Sequence, residues 1–212
     1  MNTILVTGFE PFGGERRNPS QEIALALHGS TVAGRKVVGT VLPCVFGASI
    51  AALKHHLGEH QPELVVCLGQ ASGRAEITPE RAAINVDDAR IPDNAGAQPV
   101  DRPVVAGGPT AYWSTLPIKA IVAALRAQGL PASVSQTAGT FVCNHVFYGL
   151  MHELQQQAGV RGGFIHVPLL PEQAGPGQAS LPLEAMIAGA LIALETAAKT
   201  RGDIQSIGGQ LQ

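Results

Sequence analysis

Apolar residues in this chain come in short unbroken runs. Ile4-Leu5-Val6 and Leu64-Val65-Val66-Cys67-Leu68 leave no polar side to turn toward water. A strand that is apolar on both faces needs cover on both, which a largely parallel sheet between two layers of helices supplies. Strands are predicted at residues 3–7, 36–42, 63–68, 83–87, 133–137 and 163–167. Between them lie stretches with helical spacing, at 20–28, 46–60, 117–128, 144–157 and 183–199. Asn18 followed by Pro19 reads as an N-cap with Pro at the first helical position. The alternation predicts a single-domain α/β fold, a three-layer α/β/α sandwich with a twisted, largely parallel sheet.

Two stretches interrupt the alternation. Residues 89–109 hold four prolines and three glycines, and residues 168–182 four prolines and two glycines. Loops this long in a small domain are expected to serve a site or an interface. No repeat or shift in composition marks a second domain, so one catalytic domain over 1–212 is expected, with 202–212 a loosely ordered tail.

Composition excludes whole classes. With 14 Lys+Arg against 16 Asp+Glu and a formal net charge of −2, there is no basic excess to neutralise phosphates, so no nucleic-acid partner is expected. A hydrophobic share of 45% is too high for a disordered chain. No apolar run is long enough to span a bilayer, so no membrane association is expected. The N-terminus lacks a basic region followed by a long apolar stretch, and three cysteines, Cys44, Cys67 and Cys143, make no disulfide framework. A cytoplasmic location with free thiols is expected.

Several motifs fail on inspection. Gly8 and Gly13 have phosphate-loop spacing, but Gly14 and Glu15 stand where Lys and Ser/Thr are needed. No Gly-x-Ser-x-Gly provides a serine nucleophile elbow. His56 and His60 are four residues apart on a predicted helix, but the segment is not His-Glu-x-x-His, so they are read as exposed histidines near a helix end. No metal and no cofactor are expected.

One constellation survives. Cys143 sits where a strand gives way to a helix, and free amides at a helix start favour a thiolate and can hold an oxyanion. His166 ends an apolar strand before a Pro-rich loop, and the carboxyl ends of parallel strands form the ligand crevice of α/β sheets. Glu80 leads into apolar Ala82-Ala83-Ile84, where a carboxylate needs a partner. It can orient His166 as a triad carboxylate does, or simply pair with Arg74 or Arg81. Cys67 reads as a small buried hydrophobe, and Cys44 stays open between bystander and reactive thiol. His145, two residues from Cys143 at the same helix start, is expected to point elsewhere.

These blocks resemble one family. Gly8-Phe9-Glu10-Pro11-Phe12-Gly13-Gly14, Gly69-Gln70-Ala71 with Ile77-Thr78-Pro79-Glu80-Arg81, Thr137 to Asn144, and Phe164-Ile165-His166-Val167-Pro168 are similar, in order, to segments of the pyroglutamyl peptidase I family. The resemblance implies a cysteine peptidase that removes N-terminal pyroglutamate from peptides, with Cys143 as nucleophile, His166 as base and acid, and Glu80 as orienter. It implies a phosphorylase/hydrolase-like fold, a homotetramer and no cofactor. It assigns Arg90 to support of the oxyanion, and Phe9, Phe12, Ile91, Phe141 and Val142 to an apolar pocket for the lactam ring, with Gln70 at its edge. Many members carry Thr in place of Cys44. The alternatives are a hydrolase of the same fold acting on another small N-terminal acyl or lactam group, a nucleoside phosphorylase, and a binding module without catalysis.

Overall fold

A computed structural model describes residues 2–209. In chain order the elements are β1 (Thr3–Phe9), α1 (Pro19–Leu27), β2 (Thr31–Val32), β3 (Arg35–Leu42), α2 (Ala48–His60), β4 (Leu64–Gln70), β5 (Thr78–Pro79), β6 (Ala82–Ile84), β7 (Ala111–Trp113), α3 (Ile118–Ala127), α4 (Val142–Leu154), β8 (Arg161–Val167) and α5 (Leu183–Lys199). The main sheet runs β2-β3-β1-β4-β8-β5. Its four long strands are parallel, and the two-residue strands β2 and β5 are antiparallel edges.

The unbroken aliphatic runs are split by strand periodicity between two cores. Ile4, Val6, Val66, Leu68, Ile165 and Val167 face the layer of α1, α3 and α5. Leu5, Phe9, Val65, Cys67 and Phe164 face the layer of α2 and α4. Each such side chain contributes about 1.5–3 kcal/mol when fully buried, which is why neither face of these strands tolerates charge. Helix α1 sits directly on the sheet: a Cβ on Gly39 would lie 1.8 Å from the Ala24 carbonyl oxygen, and one on Gly8 would lie 2.1 Å from that of Ser20. Its N-terminus is as predicted, with Asn18 Oδ1 accepting from the Ser20 amide at 3.0 Å and Pro19 in the first turn; such a cap contributes about 1 kcal/mol.

Three expectations are corrected. Residues 133–137 form no strand. The stretch makes only isolated bridges, Glu80 with Ser135 and, just before it, Ile77 with Ala132, because its neighbour β5 is two residues long and contains Pro79, which has no amide to donate. The strand expected at 83–87 is instead β6, paired antiparallel with β7 in a separate two-stranded sheet. Helix α4 starts at Val142, two residues before the predicted start. Asn144 does not cap it: its side chain accepts from the Ile84 amide and donates to the carbonyls of Ile84 and Val86.

Of the segment expected to be loosely ordered, residues 202–209 carry no helix or strand but are tied to the body. Asp203 accepts from the amides of Lys119 and Ala120 at the start of α3, and the Gly208 carbonyl accepts from Arg81 and Gln136. Residues 210–212 lie outside the described residues. No helix among the described residues is long and apolar enough to cross a membrane.

Candidate active site

The carboxyl ends of β1, β4 and β8 and the start of α4 meet at a cleft of about 680 Å³. Its lining includes Phe12, Gln70, Arg74, Arg90, Ile91, Phe141, Cys143 and His166.

His166 is the sixth residue of β8, on the same face as Phe164 and so toward α4. Edge strand β5 aligns Thr78 with His166 and Pro79 with Ile165, and the Glu80 amide then donates to the Phe164 carbonyl at 2.9 Å. That pairing delivers the Glu80 side chain to His166. Glu80 is completely buried, and its Oε1 accepts from His166 Nδ1 at 2.7 Å and from Arg74 Nη1 at 2.8 Å. The two partners read from the sequence as alternatives, histidine and Arg74, therefore share one oxygen. Arg74 is itself fixed by Thr78 Oγ1 and by the Thr137 carbonyl. With Nδ1 committed to Glu80, the lone pair of His166 lies on Nε2. Burial presses the His166 pKa below 6.5, and the hydrogen bond to Glu80 pulls it back up. The imidazole is thus neutral near pH 7 and able to take a proton.

Cys143 is the second residue of α4, behind an N-cap, Phe141, that is extended and offers no side-chain cap. First-turn amides are left for a ligand oxygen. The sulfur lies over β4: a Cβ built on Gly69 would stand 2.9 Å from Cys143 Sγ and 2.7 Å from Phe164 Cζ. Gly69 is the direct register partner of His166, so thiol and imidazole occupy neighbouring positions above one pair of strand residues. Glycine at 69 leaves the room that the sulfur fills. Burial pushes the Cys143 thiol up, with Cys44 and Glu80 adding to the effect and Arg74 opposing it. Burial thus opposes the thiolate that the helix start favours.

Not every expected pocket residue reaches the cleft. Phe12 and Phe141 do, with ring centroids 5.9 Å apart, and Ile91, Gln70 and Arg90 line it as well. Phe9 does not. β1 runs two residues further than predicted, so Phe9 is still a strand residue, 1% exposed, packed on Phe164 in the core. Val142 is fully buried in the same core. Phe46 backs the wall edge-on to Phe141 at 5.5 Å. Arg90 is exposed at the rim.

Further residues fix the surroundings of the cleft. His145 points away, as expected, with Nδ1 2.8 Å from Asp87 Oδ2 and Nε2 accepting from the Gly47 amide at 2.9 Å. Asp93 accepts from the amides of Phe46, Ala95 and Ala97, which ties the loop bearing Arg90 and Ile91 to the aromatic wall. Gln173, from the long loop after β8, donates to Gln70 Oε1 at 3.2 Å and to the Arg17 carbonyl at 3.1 Å, while Arg17 pairs with Glu172. The one hint in the sequence was the length of that loop. Cys44 and Cys67 are buried, and burial pushes both thiols up to about 12. The group of His, Cys, Asp or Glu side chains with metal-ligand spacing found among the described residues, His56, Glu59 and His60, lies on α2 outside this cleft.

Fold and cleft together have the character of an α/β cysteine hydrolase. Comparison with known proteins narrows this. The sequence profile of the family described as pyroglutamyl peptidase matches residues 2–200. A pyrrolidone-carboxylate peptidase of Cupriavidus necator is 60% identical over 215 residues, covering all of both chains, and one of Bacillus cereus is 57% identical over 99% of each. The crystal structure of pyroglutamyl peptidase I from Bacillus amyloliquefaciens superposes with a TM-score of 0.95 at 49% identity, over 97% of this chain and 99% of that one. The chain belongs to the pyroglutamyl peptidase family.

Proposed function

We infer that this chain hydrolyses the bond after an N-terminal pyroglutamyl residue, with Cys143 as nucleophile, His166 as base and acid, and Glu80 as the group that orients His166. The observation that carries the reading is the buried Glu80–His166 hydrogen bond, 2.7 Å long, on the strand residue paired with Gly69, over which the Cys143 sulfur stands.

Pyroglutamate is a neutral lactam without an α-ammonium. Walls made by Phe12, Phe141 and Ile91 suit such a ring, with Gln70 at the edge as a polar partner. In the reaction, Cys143 Sγ attacks the scissile carbonyl carbon as His166 Nε2 takes its proton. The carbonyl oxygen becomes an oxyanion held by first-turn amides of α4, with Arg90 at the rim adding positive charge. His166 then passes the proton to the leaving amine, and the C–N bond breaks to leave a thioester. A water gives its proton to His166 and attacks the thioester, and the sulfur leaves with the proton from His166. Glu80 stabilises the imidazolium at each stage without itself taking the proton.

Cys143→Ala is expected to remove turnover of a pyroglutamyl amide while the fold persists; retained turnover would sink the assignment. Prolyl and glutaminyl amides, assayed in parallel, separate this substrate from another small acyl group. We further propose that copies assemble as a homotetramer in the cytoplasm. Trp113 and Val100, 68% and 66% exposed, are large apolar groups suited to an interface, and all three cysteines are free thiols. A monomer in sedimentation at working concentration would refute the assembly.

A further inference from the structure

The last turns of α2 bring three imidazoles around one carboxylate. His55 Nε2, His56 Nδ1 and His60 Nε2 lie 3.5, 3.9 and 3.6 Å from the same atom, Glu59 Oε2. The rings of His56 and His60 are parallel, 7° between planes and 5.8 Å between centroids, as one turn of helix spaces them. One ligand atom from each of His56, Glu59 and His60 falls within 4.8 Å of the others.

Surface histidines at a helix end would be exposed and solvated. His56 and His60 are instead only 22% and 24% exposed, and His56 Nδ1 is buried with no hydrogen-bond partner. A buried ring nitrogen without a partner calls for a bound ligand or a cost in stability. Two imidazoles with one carboxylate are a ligand set for a borderline divalent cation such as zinc.

We propose that His56, Glu59 and His60 bind zinc on α2, with His55 or water in the remaining position. All the donors stand on one stretch of helix, so closing to metal–ligand distances of about 2.0–2.2 Å needs side-chain rotation alone. The cation would clamp the last turn of α2 just before Gln61, which holds a left-handed φ of 42°. The cleft is at the other end of this helix, where the Gly47 amide meets His145. Zinc at this site is therefore structural: it binds the folded chain and raises its stability in proportion to occupancy, without entering the reaction.

The test is zinc titration by calorimetry at neutral pH on the full chain carrying Cys143→Ser, which removes the thiol of the cleft as a competing ligand. One zinc per chain is expected, together with a rise in Tm. His56→Ala and His60→Ala should each weaken binding by more than about tenfold, the least that loss of even a supporting group costs a metal site. The double variant should bind none and show no zinc-dependent rise in Tm. His28→Ala, on a different element, should bind as the parent does. With Cys143 restored, the histidine variants should turn over a pyroglutamyl amide at the wild-type rate, which establishes that they fold. A folded parent that binds no zinc, or a double variant that binds it as the parent does, overturns the proposal.

Discussion

Gly69→Ala is the smallest change that tests the placement of the thiol over the sheet. The added Cβ would stand 2.9 Å from Cys143 Sγ and 2.7 Å from Phe164 Cζ, where ordinary contact begins at 3.4 Å. Relief needs shifts of 3.4 − 2.9 = 0.5 Å for the sulfur and 3.4 − 2.7 = 0.7 Å for the ring. Phe164 is fully buried between Phe9 and Phe147, so the ring has nowhere to go and the sulfur takes up most of the strain. Catalytic groups work within about 0.5 Å of their productive positions, and about 1 Å of misplacement costs roughly a hundredfold. We expect kcat/KM for a pyroglutamyl amide to fall by about 10- to 100-fold, or about 1.4–2.7 kcal/mol of transition-state stabilisation. Overpacking should lower stability by about 1–3 kcal/mol in denaturant unfolding. Gly58→Ala is the control: nothing lies within 4 Å of its added Cβ, and in a helix the change should stabilise by up to about 1 kcal/mol with activity kept. A Gly69→Ala enzyme with wild-type kcat/KM and unchanged stability would refute the geometry.

Other expectations follow from the same contacts. Glu80→Gln removes the charge that steadies the imidazolium, so kcat should fall by about 10²–10⁴ with KM little changed. Because Glu80 raises the His166 pKa, the acid limb of the residual activity should move to lower pH; movement to higher pH would contradict this. In the wild-type enzyme His166 must be neutral to act, so kcat/KM should rise with pH through a value below 6.5, and a limb above it would count against a buried base. Phe9→Leu should cost stability, on the order of 1 kcal/mol, and leave KM alone, whereas Phe141→Leu should raise KM; the reverse pattern in paired unfolding and kinetic assays would return Phe9 to the pocket. Iodoacetamide should label Cys143 before Cys44 and Cys67, which are 2% and 0% exposed, as peptide mapping of the alkylated chain would show.

The long strands and all five helices were legible because each carries its own signal: aliphatic runs for β1, β3, β4 and β8, and helical spacing with a cap at Asn18 for α1. The short strands were not. β2 and β5 are two residues each, and what makes them strands is the neighbour they pair with, which no local pattern encodes. The segment 133–137 has the composition of a strand but finds Pro79 opposite it. At the site, Cys143 and His166 could be found because both sit at element boundaries that the sequence marks. Glu80 was legible as a carboxylate in apolar company, yet its partner, 86 residues away, depended on the register of β5 against β8. Phe9 was assigned to the pocket by family resemblance, but as the last residue of β1 it turns into the core. Asn144, expected only as the start of a helix, turned out to be a clamp on β6, a role set by tertiary contact alone.

The central claim is that Cys143 carries the acyl group. Acid-quenching the enzyme within the first turnover of a pyroglutamyl ester, followed by peptide mass analysis, tests it most directly. The account predicts one pyroglutamyl group in thioester linkage on the peptide containing Cys143, absent from Cys143→Ala and accumulating in Glu80→Gln if deacylation is slowed. Acylation of Cys44 instead, or full turnover with no acyl group on Cys143 at any time, would contradict it.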